Sequence, residues 1–341
     1  MELLQNLFAG DFAVAQSYFT AGTGQFVSAV IFFIIGLLLI MFGGDRFVDA
    51  SITISKKLGI PEIIVGATIV SLGTTLPEIL VSTTAAFSGG AGGDMAVGNA
   101  FGSIVCNTAL IAAVTQLFKP SKSVSVSSIG WRSILFFAVY VIVSTVGLLT
   151  GGINRIAGIF LLLAFCLYAY LSIKLSGVDD EEAEEGDDTD GSVAKAVITL
   201  VICAAVLFVG AKFLVNCGAS IAAKVGVPEA VISVTFIALG TSLPEFVTAI
   251  SSMIKGYSNV SVGNIIGANT LNLLLVIGIP ATATGIGISQ KESFMLTAPV
   301  GLLVMLLFIL PFVIKKKGFR WQGALLLVIY AAYSVIQFVM A

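Results

Sequence analysis

Two six-residue stretches, Gly73-Thr74-Thr75-Leu76-Pro77-Glu78 and Gly240-Thr241-Ser242-Leu243-Pro244-Glu245, each place a carboxylic acid inside a long apolar run. Glycine permits a backbone break, and proline lacks an amide hydrogen and crowds the turn before it. A helix passing through either stretch must unwind and restart. Unwinding is expected to free carbonyls such as those of Ser71 and Thr74 in the first copy, and of Ala238 and Thr241 in the second. The restarted segment then presents Thr75 and Glu78, or Ser242 and Glu245, in its first turn. Acids, hydroxyls and carbonyls gathered at one point make an oxygen cage for a hard cation. Ca2+ takes about 6 to 8 oxygens at ~2.3 to 2.6 Å in flexible geometry, whereas Mg2+ keeps its waters and demands a stricter octahedron. The same cage also suits several Na+ ions.

A second reading competes for the same letters. Thr75-x-x-Glu78 and Ser242-x-x-Glu245 both fit a capping box, in which the acid would cap its own helix. A charge at the centre of a bilayer costs roughly 3 kcal/mol even on the gentler insertion scales, and caps without acids are available. The cost therefore argues for a site. Outside one acidic run only ten acids remain, and of these only Glu78 and Glu245 lie deep within apolar segments.

A second pair of motifs follows the first. "VGNAFGSIVCN" (97–107) matches "VGNIIGANTLN" (262–272). Ser103 and Asn107 are four apart and share a helical face. Asn107 and Asn272 fall nearer the depth of the acids and are assigned to the site. Asn99 and Asn264 read as interhelical hydrogen-bond glue, with Gly98, Gly102, Gly263 and Gly267 allowing close approach.

The elements that position these groups are membrane helices. The chain has 341 residues, is 57% hydrophobic and 11% charged, and has a mean hydropathy of +1.07. Apolar runs long enough to span a bilayer recur along it. Histidine is absent, which removes the commonest transition-metal ligand and leaves oxygen to build any ion site. The single cysteines at 106, 166, 203 and 217 lack metal or redox spacing and read as helix packing.

Breaks at charge, Gly and Pro clusters give about ten spans. They fall near 26–43, 61–87, 95–118, 130–150 and 153–174, then 194–214, 228–254, 259–283, 293–314 and 321–340. Residues 1–25 hold Glu2 and Asp11 but no Lys or Arg, and read as an extracytoplasmic leader rather than a cleavable signal. Four units result: the leader 1–25, a five-helix unit 26–175, an acidic linker 176–192 and a second five-helix unit 193–341. Basic residues concentrate in alternate loops, at Lys56 and Lys57, Lys119, Lys122 and Arg132, Lys174 and Lys195, Lys255, and 315–320. The positive-inside rule puts those loops and the linker in the cytoplasm and the N-terminus outside. The linker, with nine of the nineteen acids, reads as a solvated tether.

The stretch 59–87 aligns without gaps to 226–254, at an offset of 167 residues. Corresponding helices are five spans apart. Five is odd, so the second copy crosses the membrane in the opposite sense. The fold class is thus an all-α polytopic membrane protein of two inverted five-helix repeats, with broken helices meeting at the midplane, as in secondary transporters.

With these residues assembled, the sequence resembles the sodium/calcium exchanger family within the wider cation/calcium antiporters. The resemblance covers nearly the whole chain, through paired GT(S/T)LPE and GNxxG(S/A)xxxN motifs at matching offsets. It implies that Glu78 and Glu245 bind the transported cation. Thr74 and Thr241 would contribute carbonyls or hydroxyls, with Thr75, Ser242, Ser103, Asn107 and Asn272 as further ligands. Two positions depart from the pattern: Ala268 stands where many relatives carry Ser, and Asn272 where some carry Asp. The second departure argues against K+ coupling.

The expectation is a prokaryotic plasma-membrane antiporter, not an enzyme, that exchanges Ca2+ for Na+ by alternating access and moves net charge. The first and sixth spans, with Gly36, Gly43, Gly44, Gly210 and Ala211, would slide as the gate. Its partners would be the two ions and the lipid bilayer, with no cofactor, nucleic acid or obligate protein partner. Two alternatives are a Ca2+/H+ antiporter using the same glutamates, and a cation channel.

Overall fold

The apolar stretches fold as helices, and the computed structural model describes residues 19, 22–87, 92–121, 126–174, 192–226 and 238–340. In chain order the first half comprises α1 (Thr23–Leu58), α2 (Glu62–Thr74), α3 (Leu76–Phe87), α4 (Gly92–Phe118), α5 (Val126–Thr150) and α6 (Arg155–Lys174). The second comprises α7 (Val193–Lys224), α8 (Ala238–Thr241), α9 (Leu243–Lys255), α10 (Ser258–Thr284), α11 (Lys291–Lys315) and α12 (Arg320–Met340). Among the described residues, eight helices are long and apolar enough to cross a membrane, and the bent pair α2–α3 makes a ninth. The span expected at 228–254 lies partly outside the described residues, as do nearly all of the linker and most of the leader.

Large apolar side chains such as Ile31, Phe42, Leu149, Ile173 and Val201 point outward, while Thr75, Glu78, Asn107 and Asn269 are wholly buried. That inverted distribution suits a lipid solvent, in which polar groups must find partners inside the protein.

The first helix is longer than hydropathy alone indicates. It runs 36 residues to Leu58 rather than stopping near 43. Its second half is amphipathic and buries Phe47, Val48, Ile52 and Ile54 against protein instead of lipid. Gly59 ends it in the left-handed conformation (φ 62°), with its amide on the Ser55 carbonyl. For the same reason α7 continues past 214 to Lys224. The two helices touch through their glycines. A Cβ on Gly36 would lie 2.9 Å from the Gly210 carbonyl oxygen, and one on Gly210 would lie 2.8 Å from Ile40 Cγ1. They share an apolar cluster with α2 that includes Phe47, Leu207 and Leu214, while α4, α5, α6, α10, α11 and α12 fill a larger, separate one.

The repeat extends into backbone irregularity. The axes of α2 and α3 are bent by 44° at Thr75. One π-helical turn lies in α2 at Gly66–Val70, and α4 and α10 carry one each at Asn107–Ala112 and Asn272–Ile277. Such turns are frequent at functional sites and leave carbonyls without their regular donor. The Tyr168 hydroxyl of α6 donates to the Ala67 carbonyl in the first of them, at 2.5 Å. There α2 and α10 cross closely: a Cβ on Gly263 would lie 2.1 Å from the Ile63 carbonyl oxygen, and one on Gly267 would lie 2.4 Å from that of Ala67. Gly98 and Gly102 meet no described residue. The stretch that the repeat places opposite them precedes α8 and lies outside the described residues.

Loops expected on the same side of the membrane do touch. At one end the Lys119 ammonium donates to the Met253 carbonyl at 2.8 Å, and the Gly318 amide donates to the Ser121 carbonyl at 2.9 Å. At the other, β1 (Gly152–Ile153) pairs antiparallel with β2 (Ile286–Gly287), and Asp94 accepts the Ser289 and Gln290 amides. Asp45 and Asp49, both more than half exposed, pair with Lys255 at 3.8 and 2.6 Å. The extension of α1 brings both acids alongside the end of α9. All four cysteines are free, three of them buried.

Candidate cation site between two broken helices

Both motifs interrupt a helix at the hydroxyl residue. In the first, α2 ends at Thr74 and α3 starts at Leu76; in the second, α8 ends at Thr241 and α9 starts at Leu243. Glu78 and Glu245 therefore stand in the first turns of α3 and α9, near the positive ends of their helices. The negative carbonyl ends of α2 and α8 come to the same place. Pro77 has no amide to give the Gly73 carbonyl, and Pro244 none to give Gly240. The Ser71 carbonyl, by contrast, is not freed as expected: it accepts the Thr75 amide at 2.9 Å. The break begins one turn later than the letters suggest.

The hydroxyls of each half bond to the other half. Thr75 donates to Glu245 Oε1 at 3.3 Å, and Ser242 donates to Glu78 Oε1 at 3.4 Å. Thr74 donates to Asn264 Oδ1 at 3.4 Å, and Thr241 donates to Asn99 Oδ1 at 3.2 Å. These four bonds form two pairs related by exchanging the halves. The capping-box arrangement is absent from the second motif, because Ser242 makes no side-chain cap on α9. Its hydroxyl serves the opposite acid and also reaches Ser103 Oγ at 3.4 Å.

Each acid keeps one unshared oxygen. Glu78 Oε2 and Glu245 Oε2 are buried without a hydrogen-bond partner, as are Asn107 Oδ1 and both polar atoms of the Asn272 amide. Orphaned polar atoms of this kind are costly in a protein interior and call for an explanation. Four of these five orphans are oxygens, the ligand chemistry of a hard cation. Among the described residues no three acids or cysteines converge, so the acids supply at most two negative charges.

Of the residues expected in the site, Thr74, Thr75 and Glu245 are joined through Asn264 and Thr248, and Ser103, Ser242, Glu78 and Thr241 are joined through Asn99, in two hydrogen-bonded groups. Ser71 enters through its carbonyl, which also lies 3.4 Å from the Thr74 hydroxyl. Asn107 and Asn272 start the paired π turns, and Asn107 is held by its Nδ2, which donates to Asn269 Oδ1 at 3.2 Å. Ala238 is described only as the first residue of α8. Asn99 and Asn264 are glue of a particular kind, since each also braces a broken helix: Asn99 Nδ2 donates to the Glu78 carbonyl and to Ser82, and Asn264 Nδ2 donates to Thr248. Sequence reasoning missed Ser82 and Thr248. Cys106, assigned to plain packing, is buried directly before Asn107.

The sodium/calcium exchanger protein family model matches residues 28–174 and again 195–339, one match in each half. The chain belongs to the sodium/calcium exchanger family. The exchanger is 36% identical over 264 residues to the inner membrane protein YrbG of Escherichia coli, covering 75% of this chain and 80% of that one. It is 29% identical over 342 residues to the sodium/calcium exchanger MaX1 of Methanosarcina acetivorans, covering 89% and 97%. A solved structure of the sodium-calcium exchanger NCX_Mj superposes with a TM-score of 0.75 at 26% identity, covering 90% of this exchanger and 97% of that chain. Membership makes this chain a multi-pass cation antiporter of the calcium-exchanging type, a transporter and not a catalyst of covalent chemistry.

Proposed function

We propose that the exchanger moves Ca2+ against Na+ through the space between Glu78 and Glu245, which opens alternately to either side of the membrane. The observation that carries this reading is the pair of orphaned carboxylate oxygens, each on an acid whose other oxygen is held by the opposite half. The ligands are the two acids, the Thr74, Thr75, Thr241, Ser242 and Ser103 oxygens, the Asn107 and Asn272 amides, and carbonyls around Ser71 and Ala238. Two carboxylates neutralise one Ca2+, whereas more than two Na+ leave excess positive charge. Exchange is then electrogenic, and each net charge is worth roughly 2.3 kcal/mol per 100 mV. Coupling does not require K+. The acid-rich linker and the basic loops face the cytoplasm of a prokaryotic cell, with the N-terminus outside, and the repeats span 26–175 and 193–341. In this reading α1 and α7 slide across the rest as the gate.

The test is Ca2+ uptake into proteoliposomes loaded with Na+, K+ or H+. Uptake driven by the Na+ gradient alone, abolished by Glu78→Gln and by Glu245→Gln, is the expected result. Uptake driven by a pH gradient without Na+ would replace Na+ with H+ as the counter-ion. Uptake that needs no counter-ion and far exceeds carrier turnover would identify a channel.

A further inference from the structure

A cavity of about 80 Å3 opens beside the motif breaks and shares only Thr241 with the proposed ligand set. Its walls include Pro77 and Val81 of α3, Met95 of α4, Thr241 of α8, and Lys212 and Asn216 of α7. Pro77 adjoins Glu78, and Thr241 belongs to the crosswise hydrogen bonds. Val81 and Met95 lie toward the α3–α4 connection, at the end of the molecule that carries β1, β2 and Asp94. The cavity therefore lies beside the candidate cation site, on the side of that end.

Lys212 is out of place there by ordinary membrane rules. It lies twelve residues before the end of α7 at Lys224, about 18 Å at 1.5 Å per residue. A lysine that far inside cannot bring its ammonium to the helix end by stretching its stem. Among the described residues it has neither an ion pair nor a hydrogen bond; both recorded ion pairs belong to Lys255. An ionisable group at such depth marks an ion path more often than packing.

We infer that Lys212 is a specificity-determining residue of the access route, whose ammonium weakens divalent binding from this end more than monovalent binding. The inference rests on the exchange reading above. A fixed charge raises the energy of an approaching ion in proportion to that ion's charge. Whatever factor Lys212 adds to the half-saturating concentration of Na+, per ion bound, it adds squared for Ca2+. Summed over more than two Na+, the penalty on the Na+-loaded site exceeds that on the site holding one Ca2+.

The experiment compares right-side-out with everted membrane vesicles, measuring half-saturating Ca2+ and Na+ at each face for wild type, Lys212→Met, Lys212→Gln and Lys212→Arg. Both neutral variants should strengthen binding at one face only, for instance ~3-fold for Na+ and ~9-fold for Ca2+, as the Coulomb relation requires. Lys212→Arg should match wild type. Equal factors for the two ions, unchanged values in both neutral variants, or the same change at both faces would overturn the inference. Wild-type vesicles without Na+-dependent Ca2+ flux would instead remove the exchange reading itself, before any variant is compared.

Discussion

The crosswise hydrogen bonds can be separated from a capping box by a pair of double-mutant cycles. The first combines Ser242→Ala with Glu78→Gln, across the halves; the second combines Ser242→Ala with Glu245→Gln, within one motif. A hydrogen bond to a charged group contributes up to ~1.5–3 kcal/mol. The Ser242–Glu78 bond, however, is long at 3.4 Å. Measured cycles in membrane helices average ~0.6 kcal/mol with a maximum of ~1.7, so ~0.6–1 kcal/mol is expected across the halves. Within the motif the coupling should fall below ~0.3 kcal/mol, the error of additivity for independent sites. The assay is reversible unfolding in mixed micelles without Ca2+, which reads the ion-free contacts directly and does not depend on transport. A Ser242–Glu245 coupling larger than the Ser242–Glu78 coupling would refute the crosswise assignment and restore the cap. The symmetry of the site provides an internal replicate, since Thr75→Ala should couple to Glu245→Gln and not to Glu78→Gln.

Gly263→Ala should destabilise the fold by ~1–3 kcal/mol, as overpacking does, because the new Cβ would meet the Ile63 carbonyl oxygen at 2.1 Å; the same unfolding assay checks it. Ala268→Ser should lower the Na+ concentration that half-saturates Ca2+ uptake, by adding a hydroxyl at a wholly buried position next to Asn269, with Ca2+ affinity changed less. Lys255→Met removes the Asp45 and Asp49 ion pairs that tie α1 to α9. Because Lys255 is 25% exposed and the acids more than half, the loss is limited to roughly 1 kcal/mol and should shrink further in high salt, measured as a shift in unfolding midpoint.

The candidate site was legible where the sequence breaks a rule of its surroundings. Glycine, proline and glutamate inside lipid-length apolar runs each carry a penalty, and two copies at a constant offset remove coincidence. What those letters could not disclose was direction. Thr75-x-x-Glu78 has the same spacing whether the hydroxyl caps its own helix or reaches Glu245, and only the packing of α3 against the other half decides. The π turns at Asn107 and Asn272 have no local signature, since a single extra residue per turn leaves hydropathy unchanged. The length of α1 was hidden for a related reason. A hydropathy reading stops at Gly43-Gly44-Asp45-Arg46, but the helix continues because Phe47, Val48, Ile52 and Ile54 face protein. Ser82 and Thr248 are small polar residues of a kind that ordinary helix packing also uses.

The exchange of partners between halves bears on how such a site can alternate. If each acid were held by its own half, the two motifs could separate and each would remain satisfied, leaving no reason for the halves to stay together when the cation departs. Here Glu78 depends on Ser242, and Glu245 on Thr75, so parting the motifs would strand two buried carboxylates at once. The broken helices α2–α3 and α8–α9 are therefore bound into a single body even without an ion, and the two orphaned oxygens keep that body receptive to one. In the exchange reading proposed above, motion is left to what lies outside it. The helices α1 and α7 pack on each other through Gly36 and Gly210, and the cluster they share with α2 is distinct from the main core. At one end α1 is tied to α9 by Lys255, and at the other α7 borders the cavity that leads to Thr241. A displacement of this pair along its own axis would break the first contact and close the second, without disturbing a single ligand.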